Sequence, residues 1–522
     1  MILKFLNPVR KLNCNLLFKK MFSTGFKRNI DSLIAATIGF VLILLFTQHG
    51  GIGISPDSIA YTSAARNLLA GHGFTDYTDN PLVIFPLFYP TFLAVVMLVF
   101  QFDVIQLAPY LNALLFATTI FLSGIIIEKF KYKTNLYKRI ILAIITLSPS
   151  LLEIYTMLWS ETLFILFTLI FVLYFHKYLL THRFSALIKV AIIGAMAFDT
   201  RYAGITLIAT GVLIMFFDKN LSWRKKAEHI LVFGSIGVSL VVINLLRNVV
   251  SVGLATGMRQ KGITPLIKNL EYSGNVLSNW FSIQFTGSVF FEILALAVMI
   301  FFVYYFVKNI NHWKSYYTYE NIAVSFFIIY VLFIVLSSTF SRYEPINNRL
   351  LAPAFLPLLW ISTCQIPKWR RYVSHKQLNL ILLVFIIGIS GVLIGSYFAI
   401  NRENMSFMQE TGIPGYNEDT WQKSNIGNYL QKHPEIFKND SIIYSNHSQA
   451  VYFLTGNSVD GLPERVYKGE VADFKDEDPC ILIWFNLDLN PDLLNLREIR
   501  KFKKVKRIHT FSDGAIFRLE NK

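Results

Sequence analysis

An aspartate at position 57 is the first residue of this chain whose surroundings suggest chemistry. It lies in the stretch GISPDSIAYTSAARNLLAGHGF, which begins at Gly53, just after the first long apolar segment. Ser55 is a favourable N-cap, Pro56 suits the first helical position, and Gly71 suits the end of the helix. The pattern therefore predicts a helix with an ionised Asp57 in its first turn, where the helix dipole stabilises negative charge. A simple capping role for the same carboxylate is the alternative.

One face of this helix is predicted to lie on a membrane surface, because its residues have helical spacing and are mostly small or apolar. The residues of this face are Ile59, Ala60, Ser63, Ala64, Asn67 and Leu68. Three polar residues follow in the same loop. His72 is a possible second base but is more typical of a turn between two glycines, and Asp76 and Asp79 are more typical of solvated loop acids.

Further charged residues are predicted to gather at the same level. Glu161 opens a later apolar segment in LWSETLF, and FDTRYAG places Asp199 and Arg201 at the tip of a short helical pair. The segments SRYEPINNRLLAP and RNVVSVGLATGMRQKG add Arg342, Glu344, Asn348, Arg349, Arg247, Arg259 and Lys261. A charge inside a bilayer costs roughly 2.5–3.5 kcal/mol, so charges cluster where water or a ligand reaches them. Each residue alone is also typical of an interfacial anchor or an internal ion pair, such as Asp199 with Arg201, but together they favour a polar cavity.

A cavity of this composition can bring a lipid-linked phosphate donor to an acceptor. Arginines would hold the phosphate, and a carboxylate would accept the proton of the acceptor. If the reaction inverts the sugar carbon, one base and one stabilised leaving phosphate suffice, and no covalent nucleophile is needed. The three cysteines, Cys14, Cys364 and Cys480, are far apart and predict neither a metal site nor a disulfide framework.

The composition indicates a membrane protein that crosses the bilayer several times. Of the 522 residues, 54% are hydrophobic and only 16% are charged, and long apolar runs recur along the chain. The net charge of +16 falls in short basic clusters between apolar runs. That distribution favours orientation in a membrane over binding of nucleic acid.

The basic clusters predict the topology. Seven Lys/Arg and no acid precede residue 30, so we expect a cytoplasmic N-terminus and an external first loop at about residues 50–105. The apolar run 87–102 is too short for a confident span and predicts a juxtamembrane helix. Eleven spans are then predicted, at residues 33–48, 106–127, 140–158, 162–179, 186–198, 202–217, 230–250, 286–307, 322–340, 350–366 and 378–399.

The chain after about residue 400 predicts a small external α/β domain, residues 401–522. SIIYSN, CILIWF and GAIFRLE have the composition of strands, while WQKSNIGNYLQKH and HSQAVYFLTG are typical of short helices, the second ending at Gly456. The segment before it, residues 1–400, is predicted to be the transmembrane catalytic domain.

Four motifs in this order resemble the GT-C glycosyltransferases, in particular relatives of the protein O-mannosyltransferases and the lipid A aminoarabinose transferases. The motifs are SPDSIAYTSAARNLLAGHGF…FPLFYPTFLAV, SPSLLEIYTMLWSETLF, TRYAGI and RLLAP, and the similarity spans roughly residues 30–400. Their order is fairly specific, whereas each motif alone is weak.

The resemblance implies a polytopic all-α fold with juxtamembrane helices in the first external loop and a catalytic acid there, which Asp57 matches. It implies a second acid in the next external loop, best matched by Glu161 and next by Glu153. Many members carry paired acids in the first loop, but here Ser58 follows Asp57. We therefore predict no metal site, and dependence on a divalent metal stays open.

The sequence thus predicts an inverting glycosyltransferase of the cell (plasma or inner) membrane with a polyprenyl-phosphate sugar as donor. The acceptor would be a glycan, a lipid or a protein. Asp57 is the predicted base or acceptor-orienting carboxylate, Glu161 its acidic partner, and the predicted phosphate ligands are Arg201, Arg342, Arg349 and Arg259. A lipid or sugar transporter without transferase activity is the alternative. It would favour inverted repeats and charges near the membrane midplane, and the sequence shows no repeat.

Overall fold

The computed structural model describes residues 14–283, 285–373, 375–438 and 442–522. Helices dominate the described residues from 14 to 411. The α-helices of the first half are α1 (Cys14–Phe46), α2 (Pro56–Ala70), α3 (Phe88–Phe100), α4 (Val104–Ile127), α5 (Asn135–Leu147), α6 (Pro149–Thr156), α7 (Glu161–Thr181), α8 (Phe184–Thr200) and α9 (Ile205–Phe217).

The second half of the helical region continues to residue 411. Its α-helices are α10 (Trp223–Val252), α11 (Leu266–Trp280), α12 (Ser288–Ile310), α13 (Trp313–Tyr316), α14 (Tyr319–Phe340), α15 (Asn348–Leu351), α16 (Phe355–Thr363), α17 (Ile366–Tyr372) and α18 (Lys376–Thr411). Helix α18 continues through the predicted domain boundary at residue 400, so the boundary falls inside a helix.

The chain is a multi-pass membrane protein, but the predicted count of eleven spans is not confirmed. Among the described residues, eight helices are long and apolar enough to cross a membrane, or nine if the bent pair α5 and α6 counts as one span. Helices α8 and α9, predicted as two spans, have only 17 and 13 residues. At 1.5 Å per residue they reach about 26 Å and 20 Å, short of the roughly 30 Å apolar core of a bilayer.

The bend between α5 and α6 is a consequence of Pro149. The two helices meet at 47° within the predicted span 140–158. Ser148, which precedes the proline, has φ −58° and ψ 115°, outside the helical region. Proline disfavours the helical conformation of the residue before it and lacks an N–H, so the helix stops and restarts here.

Helix α2 forms as its capping residues predict. Ser55 and Ser58 make a capping box, Pro56 is at the first helical position, and Gly71 ends the helix at φ 85°. The prediction that one face of α2 lies on the membrane is wrong, because Ile59, Ser63 and Ala64 of that face are fully buried inside the protein. That face packs on the loop and helix that follow, including Leu82 and Leu87 beside Ala64 and much of α3.

A five-stranded sheet follows α18. Its strands are β1 (Ile443–Ser445), β2 (Asp460–Gly461), β3 (Cys480–Phe485), β4 (Lys503–Phe511) and β5 (Gly514–Asn521), in the order β2-β1-β3-β5-β4. Strand β1 is parallel to β2 and β3, while β5 is antiparallel to β3 and β4. The helices of this region are α19 (Asp419–Gln422), α20 (Asn425–Lys432), α21 (Ser448–Thr455), α22 (Lys468–Asp476) and α23 (Leu496–Ile499).

The three strands predicted in this region form, and so does the helix that ends at Gly456, which has φ 73°. Strand β4 was not predicted. It lies at the edge of the sheet and is mostly exposed, and its basic side chains obscure the apolar alternation by which a strand is recognised. Charged side chains on an edge strand also hinder unwanted pairing with other chains.

Helix α2 is tied to α4 by an arginine–aspartate pair. Arg66 donates from Nε and Nη2 to the two carboxylate oxygens of Asp103, at 2.7 and 2.9 Å. Oδ1 of Asp103 also caps α4 by accepting from the backbone N–H of Ile105 at 2.9 Å. Burial alone would raise the pKa of Asp103, but the hydrogen bond from Arg66 brings this pKa below its ordinary value.

The Arg66–Asp103 pair therefore predicts stability that depends on pH. A carboxyl with a lowered pKa in the folded state stabilises the fold above its unfolded pKa of about 3.9, and the effect disappears as pH falls through the folded pKa. In a double-mutant cycle with Arg66→Gln and Asp103→Asn, we expect a coupling free energy of about 1 kcal/mol at pH 7 that decreases toward pH 3. Asparagine still caps α4, so the cycle isolates the charge. Equal coupling free energies at both pH values, measured by unfolding in detergent, would contradict the assignment.

Candidate active site

Two loops that are about one hundred residues apart in the sequence meet through a short parallel bridge. The backbone N–H of Gly53 donates to the carbonyl of Thr156 at 2.8 Å, and the N–H of Leu158 donates to the carbonyl of Gly53 at 3.0 Å. A Cβ on Gly53 would lie 2.1 Å from Sδ of Met157 and 3.0 Å from the carbonyl oxygen of Pro414, so any larger residue here would have to displace the Met157 side chain. The Ser58 hydroxyl adds a bond to the carbonyl of Leu158 at 3.0 Å. The bridge brings the first turn of α2 next to the start of α7.

Glu161 begins α7, as predicted, and its side chain is fully buried. Its Oε1 accepts from Nε of Arg349 at 2.6 Å and also contacts Nη1 of Arg201. Oε2 is buried and has no hydrogen-bond partner among the described residues. A buried carboxylate requires cationic partners, so Glu161 holds two arginines from distant parts of the chain in one place.

Arg349 connects the two predicted acids. Its Nη2 contacts Oδ2 of Asp57 while its Nε donates to Glu161. The guanidinium group also lies over the ring of Trp159, 4.3 Å from the centroid. Trp159 donates from its indole nitrogen to the Ser55 hydroxyl at 2.8 Å, which fastens the cap of α2 to the same cluster.

The backbone around Arg349 and Arg201 explains their placement. Asn347 caps α15 by accepting from the N–H of Leu350 at 3.1 Å, and this puts Arg349 in the first turn. Arg201 ends α8 in an extended conformation, with φ −150° and ψ 138°. The following Gly204 packs directly on α8, where a Cβ would lie 2.4 Å from the carbonyl oxygen of Ala197. Because of this contact the chain turns sharply into α9 and leaves Arg201 beside α7.

A cavity of about 620 Å³ opens over this cluster. Four of its lining residues are arginines, Arg201, Arg259, Arg342 and Arg349, whereas two, Asp57 and Glu344, are acids. The lining is thus rich in arginine, and the Asp57 side chain, 28% exposed, is available from the cavity. Oδ1 of Asp57 accepts no hydrogen bond from the residues that the structure describes.

The arginines of the cavity differ in how strongly they are engaged. Arg342 donates from Nη2 to both oxygens of Asp492 at 2.6 Å, so the sheet region already holds it. Arg259 has no carboxylate partner among the described residues and lies near the face of the Tyr202 ring, 5.9 Å from its centroid. Arg259 is therefore the arginine of this cavity that is freest to bind an anion.

Ionisation near the cavity follows from burial and from the Glu161 charge. Burial raises the pKa of Tyr61 above its ordinary range, and the nearby Asp57 charge adds to this effect, so the phenol stays protonated. Tyr61 shares a hydrogen bond of 3.3 Å with the Ser160 hydroxyl, which accepts from Arg201 at 3.1 Å. Burial alone would lower the pKa of Arg201, but the charge of Glu161 raises it above its ordinary value.

Tyr61, Trp159 and Ser160 were not predicted as site residues. Tyr61 lies one helical turn after Asp57, and the other two directly precede Glu161, so their positions relative to the predicted acids could have identified them. The possible pair of Asp199 with Arg201 is wrong, since Arg201 pairs with Glu161 and Asp199 Oδ1 is buried without a partner among the described residues.

The remaining candidates lie elsewhere. Glu153 accepts from the side-chain amide of Asn348 at 2.7 Å and lines a separate cavity of about 830 Å³. Arg247 donates to backbone carbonyls of Phe74 and Leu82, and so supports the first loop. Asp76 accepts from the backbone of Thr78 in a local turn, and His72 is exposed. Among the described residues, no group of three or more His, Cys, Asp or Glu side chains is arranged to hold a metal ion.

Comparison with known proteins identifies the fold. No protein-family model and no curated protein sequence matches the chain. Its structure resembles that of ArnT from Cupriavidus metallidurans in the apo state, with a TM-score of 0.54 and 11% identity over 95% of this chain and 98% of ArnT. ArnT bound to undecaprenyl phosphate gives a TM-score of 0.51 at 11% identity, over 94% of this chain and 97% of ArnT.

An archaeal protein shows the same likeness. The oligosaccharyltransferase AglB from Archaeoglobus fulgidus, in complex with an inhibitory peptide and a dolichol-phosphate, matches with a TM-score of 0.53 and 11% identity over 95% of this chain and 75% of AglB. ArnT and AglB are membrane glycosyltransferases of the GT-C superfamily. The resemblance predicted from the motifs is confirmed at the level of the fold, which the chain shares with ArnT and AglB.

Proposed function

We propose that this chain transfers a sugar from a polyprenyl-phosphate donor to an acceptor hydroxyl, with inversion at the sugar carbon. The observation that carries the proposal is the contact of Asp57 with Arg349, and of Arg349 with Glu161, at the edge of a cavity with four arginines. An accessible carboxylate beside a concentration of arginines suits a reaction that needs one base and one stabilised phosphate. The GT-C fold, shared with ArnT bound to undecaprenyl phosphate, supports a lipid-linked donor.

Asp57 is the proposed base. The acceptor oxygen forms a bond to the anomeric carbon while its proton passes to Asp57, and Oδ1 is the oxygen available for it. The bond between that carbon and the phosphate oxygen breaks, and the phosphate leaves with the electron pair. Arg349 holds Asp57 through Oδ2 and orients the carboxylate toward the cavity. A base placed in this way contributes typically 10²–10⁴ to the rate.

The four arginines of the cavity differ in how far a carboxylate compensates their charge. Arg201 and Arg349 have Glu161 as a partner and Arg342 has Asp492. Part of their charge is therefore compensated before a ligand arrives. Arg259 brings a charge that no carboxylate of the described residues compensates, so we assign it the main part in capturing the donor phosphate, with Arg349 closest to the base.

We place the reaction on the external face of the plasma or inner membrane, with a cytoplasmic N-terminus. The basic segments before residue 30 and at residues 129–139 support this orientation by the positive-inside rule. Part of the second cluster is also structural, because Lys138 is fully buried and pairs with Asp31 at 2.7 Å. Lys138 is therefore a weaker indicator of orientation than its exposed neighbour Arg139.

Replacing Asp57 by Asn is expected to lower the transfer rate about 100-fold or more, since the amide keeps the size of the side chain but cannot accept the proton. The measurement is transfer of radiolabelled sugar from synthetic undecaprenyl-phosphate hexoses and pentoses in proteoliposomes, with a membrane and cell-wall extract as the source of acceptors. Asp79→Asn is the matched control: it makes the same change in the same loop, and Asn tolerates the φ of 60° there.

Two results would overturn the base assignment or the function. A folded Asp57→Asn protein with more than half of the wild-type rate would exclude Asp57 as the base. Movement of the labelled donor across the bilayer without transfer to any acceptor would favour a transporter instead.

Replacing Arg259 by Ala is expected to weaken binding of undecaprenyl phosphate about tenfold while the unfolding temperature stays unchanged. A charge-assisted hydrogen bond contributes about 1.5–3 kcal/mol, and no described carboxylate loses its partner in this variant. Titration calorimetry in detergent measures the affinity. Lys261→Ala removes the same charge two residues away and outside the cavity lining, so its affinity should match wild type. Equal loss of affinity in both variants would indicate a diffuse surface charge and not a phosphate site.

A further inference from the structure

A second cavity, of about 1,050 Å³, lies where the first loop, the segment after α10 and the sheet region meet. Its volume is slightly above the range of about 300–1,000 Å³ that is usual for ligand sites. It shares Ser55, Pro56 and Ile84 with the cavity that contains Asp57. The second cavity, which we call the outer chamber, therefore adjoins the Asp57 cavity across the cap of α2.

The outer chamber and the Asp57 cavity differ in the charged residues of their linings. The lining of the outer chamber includes Glu464, Glu470 and Asp488, and none of the described lysines or arginines is part of it. Glu464 accepts from the side-chain amide of Gln260 at 2.7 Å, while Glu470 and Asp488 are exposed. Because like charges repel, this lining disfavours phosphorylated or sulfated ligands and tolerates neutral or amine-bearing ones.

The remaining lining residues suit a ligand with many hydroxyl groups. Trp421 and Tyr416 form the buried base of the wall, with ring centroids 5.3 Å apart, so the aromatic surface that a ligand reaches is that of Tyr467. Tyr467 and Gln449 are partly exposed, and Asn490 is exposed. Aromatic groups next to carboxylates and carboxamides combine apolar contact surface with many hydrogen-bond acceptors, which the ring faces and hydroxyl groups of a saccharide can use.

An extended peptide fits the outer chamber less well. Peptides commonly bind by adding a strand to an exposed sheet edge. The edge strand at the outer chamber is β2, which has only two residues, Asp460 and Gly461. Two residues provide too few backbone groups for a stable added strand.

We propose that the outer chamber is the acceptor subsite and that the acceptor is a neutral or amine-bearing glycan, not a phosphorylated one. This inference rests on the proposed function. The two cavities then divide the substrates by charge: arginines receive the anionic donor, and carboxylates and aromatic groups receive the sugar acceptor. A hydroxyl group of the bound glycan reaches Asp57 past Ser55 and Pro56.

The test is binding of three tetrasaccharides of equal length to the full chain in detergent: N-acetylchitotetraose (neutral), chitosan tetrasaccharide (amine-bearing) and sulfated chitotetraose (anionic). Titration calorimetry measures each Kd. We expect the sulfated probe to bind at least about tenfold more weakly than the other two. In the Glu470→Gln/Asp488→Asn variant, the Kd of the sulfated probe should lie within about threefold of the Kd values of the other two probes. Asn suits position 488, where φ is 42°.

Asp473→Asn/Asp476→Asn is the matched control, since it removes two exposed acids from the same region but outside the lining. The control should keep the tenfold difference. The inference is overturned if none of the probes binds, if the sulfated probe binds as tightly as the neutral one, or if both double variants behave alike. Binding of undecaprenyl phosphate, measured on the same samples, tests the proposed function separately. If the glycans bind but undecaprenyl phosphate does not, the proposed function is overturned. If undecaprenyl phosphate binds but the glycans do not, only the acceptor assignment is overturned.

Discussion

The structure around the proposed site depends on one buried carboxylate. Glu161 is fully buried at the start of α7, where an isolated negative charge would cost several kcal/mol. Its Oε1 is shared by Arg201 and Arg349, which come from the end of α8 and the start of α15. The desolvation penalty is offset only while both arginines stay in place. Removing Glu161 would therefore release two cations, and removing either cation would leave a buried charge poorly paired.

The Glu161 cluster also fixes the position of Asp57. Arg349 contacts Glu161 by one nitrogen and Asp57 by another, so the accessible acid is oriented by the buried one. The Gly53–Met157 bridge holds the segment before α2 against the segment before α7 through backbone hydrogen bonds. Two independent constraints, one ionic and one from backbone hydrogen bonds, thus fix the first turn of α2 against α7. This is the kind of pre-organised support that a catalytic group needs.

Part of this arrangement could be predicted from sequence. Ser55, Pro56 and Gly71 encode α2 locally through capping and backbone preferences, and these do not depend on the rest of the fold. The strand CILIWF is likewise recognisable from its own composition. The sequence could not show that Arg201 pairs with Glu161 and not with nearby Asp199, because that choice is made by tertiary packing of α7 against α8. The prediction that one face of α2 lies on the membrane was wrong for the same reason, since small and apolar residues suit burial in protein as well as in lipid.

The number of membrane spans shows a further limit of prediction from sequence. Hydropathy measures composition, but crossing a bilayer also requires an unbroken length of helix. Pro149 breaks one apolar segment at 47°, and the turn at Arg201 cuts another into helices of 17 and 13 residues. These interruptions lie beside the proposed site: α6 leads into the Gly53 bridge, and the turn after α8 carries Arg201. Broken helices provide non-helical backbone and charged groups where an uninterrupted span would place apolar side chains.

The sheet region is joined to the proposed donor cavity by a charged contact. Arg342, in the lining of the Asp57 cavity, donates to both oxygens of Asp492 at 2.6 Å, and the neighbouring Gln260 donates to Glu464 at 2.7 Å. Arg342 also donates to the side chain of Gln260 at 2.9 Å. These bonds form one connected network between the loop after α14, the segment after α10 and the sheet region. A phosphate that competed with Asp492 for Arg342 would loosen this network at the wall of the outer chamber, so donor and acceptor binding would be energetically coupled through Arg342.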